Sequence, residues 1–185
     1  MTGGDEKYFI AVIPPEPLFG IIQGLKSHLK EAYGAKAALR SPAHITLHMP
    51  FQWPARKEQR LVDSLLQYTA QQKPFGLRLN NFSCFPPRVI FVAVEGSTPL
   101  TELQRSLHRH CKVNLNLFNA NYQDRPFHPH ITLAFRDLKK SAFEPAWNEF
   151  SNRELAGTFN VESIYLLKHT GTAWERFAEL PFNAM

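Results

Sequence analysis

One four-residue phrase occurs twice in the chain, as His44-Ile45-Thr46-Leu47 and as His130-Ile131-Thr132-Leu133. The copies lie 86 residues apart, too far for a local accident of composition. Alternate side chains of an extended strand share a face. Each copy therefore offers a His and a Thr on one side and two aliphatic anchors on the other. The elements around each copy recur in the same order: a short apolar strand, a helix, the His-x-Thr strand, a second helix and a further strand. That recurrence marks an internal duplication, with repeat halves of approximately 7–83 and 88–182 in a single domain spanning 1–185. Two copies related by a pseudo-twofold axis bring equivalent strands together across a shared cleft.

The individual elements follow from hydrophobic spacing and punctuation. Lys7 to Ile13 reads as a strand closed by Pro14-Pro15, which cannot continue a ladder. Leu18, Ile21, Ile22, Leu25 and Leu29 recur at helical spacing before Gly34, a natural helix stop. The first His-x-Thr strand runs from about Ala43 to Trp53, with Pro50 distorting its end, and a helix follows on Leu61, Val62, Leu65, Leu66 and Thr69. Phe75 to Phe82 alternates as a strand, Pro86-Pro87 marks a turn, and Val89 to Val94 is continuously apolar. Thr98 before Pro99 reads as a capped start for the helix carrying Leu100, Leu103, Leu107 and Cys111. Val113 to Arg125 reads as loop, and the second His-x-Thr strand covers about Phe127 to Phe135. Ser141 to Glu144 matches a capping box, and Phe143, Trp147 and Phe150 supply that helix with an apolar face. Thr158 to Leu167 reads as one long strand, and Ala173 to Phe182 as the last.

Composition narrows the setting. With 21 Lys+Arg against 16 Asp+Glu the formal net charge is +5, which suits a partner bearing phosphates. Cys84 and Cys111 are unclustered, so a reducing compartment is expected rather than a disulfide framework. No apolar run approaches the roughly 20 residues of a membrane span, and the N-terminus has no signal-peptide pattern. The expectation is a cytoplasmic protein.

Two histidines and two hydroxyls around one centre suit phosphoester chemistry. Imidazole titrates near neutral pH, so one ring can take a proton while the other gives one. Each Thr hydroxyl sits where it can donate to a non-bridging phosphate oxygen. A lone His-x-Thr is ordinarily structural; two copies in matching places make a site. His48 and His128 fall on the strand face of the pairs and are candidates to line it. Arg40, Arg88, Arg125 and Lys168 are candidate phosphate contacts, and Tyr8, Phe51 and Phe127 are candidates to stack a base. His128-Pro129-His130 has a spacing open to a metal, but only Asp124 lies near as a third ligand, so no metal is assigned. A nucleotide-binding module with little turnover is the alternative to an enzyme. Binding alone does not need paired proton-transfer groups, which favours the enzyme.

With the opening Tyr8-Phe9-Ile10-Ala11-Val12 strand and the Arg88-Val89-Ile90-Phe91-Val92 strand, the paired motifs resemble the two-histidine (2H) phosphoesterase superfamily. Its best-known members are the bacterial RNA 2′,3′-cyclic phosphodiesterases, also called 2′-5′ RNA ligases. The resemblance covers essentially the whole chain. It implies a bilobal, duplicated α+β fold, two antiparallel sheets facing a central cleft with helices on the outer faces. His44, Thr46, His130 and Thr132 would line that cleft, with no metal and no cofactor. The implied partner is a nucleotide or RNA with a cyclic phosphate or a 2′-5′ linkage, without a membrane or an obligate protein partner. The resemblance also implies that His44 is the general acid toward the leaving oxygen and His130 the base toward water. Two places depart from the family pattern: RNA-acting members often carry Arg two residues after the second motif's Leu, where this chain has Phe135, and the first motif continues as His48-Met49-Pro50-Phe51.

Overall fold

The alternation read from the two motifs governs the middle of the molecule. In β2 (Ile45–Pro54) and β5 (His130–Ala134), Ile45, Leu47, Ile131 and Leu133 are buried, while Thr46, His130 and Thr132 are half-buried, as is His44 just ahead of β2. The computed structural model describes residues 4–118 and 126–183; Asp124 and Arg125 lie outside the described residues. The remaining strands are β1 (Asp5–Val12), β3 (Phe75–Phe85), β4 (Val89–Val94), β6 (Ala156–Val161), β7 (Ser163–His169) and β8 (Trp174–Pro181). Four helices accompany them: α1 (Leu18–Tyr33), α2 (Glu58–Thr69), α3 (Thr98–Leu115) and α4 (Lys140–Ser151).

The strands form one antiparallel sheet in the order β6-β3-β4-β5-β2-β1-β7-β8. This corrects the expectation of two separate sheets. The two motif strands are themselves neighbours, and they join two four-stranded halves through a single paired position, Ile45 against Ile131. Pairing these strands covers the edge that each half would otherwise expose.

The sheet is strongly curled, and chain connectivity requires it. β6 lies at one edge and β7 is seventh in the order, yet only Glu162 separates them. In a flat sheet they would be six strand spacings apart, about 29 Å, whereas two residue steps reach only about 7 Å. The long strand expected over 158–167 is thus a strand that breaks at Glu162 and serves both ends of the sheet. At that corner Phe75 of β3 stacks on Phe182 at 6.4 Å, and the Asn183 N–H donates to the Gln72 carbonyl at 3.2 Å.

The two sequence halves interleave. β3 follows the first motif but lies beside β4, and β7 follows the second but lies beside β1. The helices cross as well: α1 and α4 pack against β5 and β3, and α3 and α2 against β2, β7 and β8. Their apolar stripes bury one face of the sheet in a single core with Tyr8, Ile10, Val12, Ile45, Leu47, Ile90, Val92, Ile131 and Leu133. The other face carries a smaller cluster of Phe9, Ala11, Ile13 and Leu167. Gly34 ends α1 at φ 73°, and the N–H groups of Gly34 and Ala35 satisfy the Lys30 and Leu29 carbonyls.

Two helix starts differ from their sequence signals. Ser97, not Thr98, caps α3, its hydroxyl accepting from the Leu100 N–H at 3.3 Å; Thr98 and Pro99 occupy the first turn. α4 begins at Lys140 with Lys139 before it, so Ser141 lies within the helix and makes no capping box. Among the described residues no helix is long and apolar enough to cross a membrane.

Candidate active site at the seam between the motif strands

The pairing of Ile45 with Ile131 determines what faces what. One residue to either side in antiparallel register, His44 lies across from Thr132 and Thr46 across from His130. Ile45 and Ile131 point into the helix-covered core, so all four motif residues share the opposite face. The seam therefore gathers two imidazoles and two hydroxyls in alternating order.

Both imidazoles are prepared in the same way. His44 Nδ1 lies 2.7 Å from the Pro42 carbonyl and His130 Nδ1 lies 2.7 Å from the His128 carbonyl, in each case two residues upstream. A carbonyl only accepts, so Nδ1 carries the proton in both rings, and Nε2 is left with its lone pair for proton transfer. Burial lowers the pKa of His44 to about 4; the Pro42 hydrogen bond opposes this, and the nearby Lys26 and His130 reinforce it. His130 is lowered too, by burial first and by His128, against its own hydrogen bond. Both rings are neutral at pH 7 in the ligand-free protein.

Each ring also rests on a phenylalanine of the adjoining strand. Phe9 of β1 lies 4.8 Å from His44 at 48°, and Phe91 of β4 lies 4.9 Å from His130 at 53°. Trp174 stands edge-on to Phe9 at 4.7 Å; Phe85 packs on Phe91 at 4.6 Å and on His130 at 5.6 Å. Motif reading alone missed these aromatic supports. A signal was present, because Phe9-Ile10-Ala11-Val12 recurs as Phe91-Val92-Ala93-Val94.

Of the other candidates among the described residues, His128 lies beside the quartet. It is exposed, 6.0 Å from the His130 ring and 5.3 Å from Phe85. His48 does not share the face of His44 and Thr46, because a bulge intervenes. Ala11 pairs with Thr46 but Ile10 with His48, leaving Leu47 as the extra residue. The bulge reverses the alternation, so His48 turns into the core, 1% exposed, 5.1 Å from His108 of α3 and 5.2 Å from Phe51. The second motif carries the same bulge: Phe91 pairs with Thr132 and Ile90 with Ala134, leaving Leu133 extra.

Four further candidates are likewise turned away from the quartet. Tyr8 is fully buried on the helix-covered face, where its hydroxyl donates to Glu58. Lys168, paired with Tyr8 across β1 and β7, donates to the same carboxylate at 2.5 Å. Phe51 lies 6.0 Å from Tyr8 on that side, and Phe127 packs against the main core. Strand parity, not chemistry, excludes Tyr8, Phe51 and Lys168 from the motif face, and Phe127 lies ahead of β5. Arg40 and Arg88 are exposed, one in the 3₁₀ turn Ala37–Arg40 ahead of His44, the other at the β3–β4 turn. Among the described residues no group of three His, Cys, Asp or Glu is placed to hold a metal ion.

Similar proteins share this frame. The chain is 28% identical over 133 residues to a Bacillus pumilus protein named as a phosphoesterase, covering 69% of each. It is 31% identical over 106 residues to the RNA 2′,3′-cyclic phosphodiesterase of Geobacillus stearothermophilus, a match covering 55% of this chain and 32% of that one. The crystal structure of E. coli LigT complexed with 3′-AMP superposes with a TM-score of 0.67 at 20% identity, covering 97% of this chain and 99% of LigT. A Thermus thermophilus protein superposes with a TM-score of 0.66, also at 20% identity, covering 96% of this chain and 98% of its own. The family model described as the 2′-5′ RNA ligase superfamily matches residues 14–173, a span that contains both His-x-Thr pairs. The chain belongs to that superfamily, the two-histidine phosphoesterases that its doubled motif resembles.

Proposed function

We propose that the protein is a metal-independent phosphoesterase that opens a 2′,3′-cyclic phosphate, on an RNA end or a nucleotide, by acid–base catalysis between His44 and His130. The observation that carries this reading is the matched preparation of the two rings: each Nδ1–H is committed to a carbonyl two residues upstream, and each ring has a threonine across the seam. A merely structural pair would not need two free Nε2 atoms on one face.

In this reading His130 Nε2 takes a proton from water as the water oxygen bonds to phosphorus. The bond from phosphorus to one ribose oxygen breaks, and that oxygen receives the proton held by His44. Thr46 and Thr132 donate to the non-bridging oxygens, where negative charge builds. The bound phosphodiester's own negative charge supports the protonated state of the acid, which burial opposes in the empty site. A 5′-hydroxyl in place of water would yield a 2′-5′ linkage by the same steps. The nucleotide ligands of LigT, 3′-AMP and NADP+, fit a nucleotide-sized substrate.

The test is hydrolysis of the four nucleoside 2′,3′-cyclic monophosphates with excess chelator, beside a His44→Ala, His130→Ala double variant. Turnover by the native protein alone is expected. Equal rates from both proteins would refute the mechanism. Nucleotide binding without turnover, here and on cyclic-phosphate RNA ends, would leave the chain as a binding module.

A further inference from the structure

The turn that delivers His44 to the seam is held at both ends by side chains from other elements. Lys26 lies in the buried stripe of α1, between Ile22 and Leu29, and is 1% exposed. Its ammonium donates to the carbonyls of Ala38 at 3.2 Å, within the turn Ala37–Arg40, and of Ser41 at 3.0 Å, at its exit. At the entrance, Asp137 Oδ2 accepts from the N–H groups of Lys36 and Ala37, both at 2.9 Å. Asp137 follows β5, seven residues beyond His130. Pro42, whose carbonyl orients His44, directly follows Ser41.

We propose that Lys26 and Asp137 are positioning residues for His44: by gripping the two ends of this turn they fix the Pro42 carbonyl, and with it the tautomer and direction of the imidazole. The proposal rests on the reading of His44 as a proton-transfer group. A Leu or Met at position 26 would fill the stripe without removing a charge from water, which is costly. What only the ammonium supplies is a pair of donors and a positive charge. Burial lowers its pKa to about 7, and its charge helps to keep His44 neutral. Asp137 has the complementary character: Oδ1 is buried without a hydrogen-bond partner while Oδ2 holds the turn. Through it the exit of the second motif strand sets the entrance of the first.

The titratable and charged groups on the elements around α1 are Lys36, Arg40 and His44 from the turn and its exit, and His130, Arg136, Asp137 and Lys139 from β5 and its exit. α4 and its end add Lys140, Glu144, Glu149 and Arg153. Glu149 is engaged by His28, Tyr33 and Arg153, and among the described residues Lys26 has no carboxylate partner.

The deciding experiment is an NMR titration of the His44 and His130 rings in the ligand-free protein, for wild type, Lys26→Met and Asp137→Asn. In Lys26→Met, His44 is expected to titrate at higher pH and to populate both tautomers, while the His130 curve stays in place. In Asp137→Asn the His44 tautomers are expected to mix with a smaller change of titration. For the cyclic phosphate substrate, kcat is expected to fall about ten- to hundredfold with KM held within about twofold, as a misplaced group predicts. An unchanged His44 titration and tautomer in folded Lys26→Met overturns the proposal. If that variant does not fold, an unchanged tautomer in Asp137→Asn does so. Absent turnover in the wild type would sink the phosphoesterase reading, while the ligand-free titration still decides the positioning.

Discussion

The proposed acid–base pair of His44 and His130 needs one ring in the protonated state, which burial disfavours, and this places the pH dependence of the reaction. One ring must be protonated and the other neutral, and kcat/KM reports their values in the free enzyme. Both values lie below the ordinary 6.5, His44 at about 4. The profile of kcat/KM is therefore expected to peak on the acid side of pH 6.5; a maximum above neutrality would contradict these buried rings. His130→Ala should abolish turnover while nucleotide affinity stays within about tenfold, since uniform binding does not depend on proton transfer. Thr46→Val should lower kcat by about 2–3 kcal/mol of transition-state stabilisation if its hydroxyl acts as an oxyanion donor. A kcat within twofold of wild type would make that hydroxyl structural. The four motif residues were legible in the sequence because identity at a distance and parity within a strand need no structure. The carbonyls of Pro42 and His128 were not, since nothing in residue type announces a backbone acceptor.

A β-bulge carries no sequence signature as dependable as alternation, and at the scale of the element this is where reading the chain failed. Strict alternation puts His48 beside His44; the extra residue Leu47 turns it into the core. The bulge also alters hydrogen bonding, and α3 supplies part of the answer: His108 Nε2–H donates to the Leu47 carbonyl at 2.8 Å. Inside, His48 is lowered to about 4, by burial first, against the hydrogen bond to the Met49 carbonyl and with His108 acting alongside burial. The unfolded chain protonates His48 below about pH 6.5 and the folded chain resists until about 4, so its contribution is intact above 6.5 and is lost as pH falls toward 4. A gap of this size corresponds to about 3 kcal/mol. Urea unfolding from pH 7 to pH 4 should show this loss, and His48→Phe should flatten the slope. Identical slopes would mean that His48 is not held neutral. The helix of Ser141 failed differently: tertiary packing of Phe143, Ala146 and Phe150 begins the helix earlier and overrides a local capping preference.

For the whole molecule, element order was legible but partnership was not. A strand's hydrophobic pattern says which face is buried and is silent about which edge takes a neighbour. Hence the order of strands and helices could be read from the chain, whereas the single sheet and the exchange of elements between halves could not. β3 has β4 and β6 as its neighbours, both from the second half; β1 depends on β7, and α1 packs against β5 and α4. A fragment of residues 1–87 therefore keeps the β1–β2 pair but leaves β3 unpaired and exposes Leu77 and Leu79. It should not melt cooperatively and should aggregate through its open edges. The complementary fragment 88–185 loses both the first motif strand and the support of α2 under β7 and β8. Coexpressed, the two pieces should reassemble, because the break falls in the exposed Pro86-Pro87-Arg88 turn and outside the ladder that pairs β3 with β4. Size-exclusion chromatography, urea denaturation followed by circular dichroism, and turnover of a cyclic nucleotide would read the three species. A cooperative transition from residues 1–87 alone would show that the first half is an independent domain. Reassembly with turnover regained would instead show that the active seam exists only where the two halves meet.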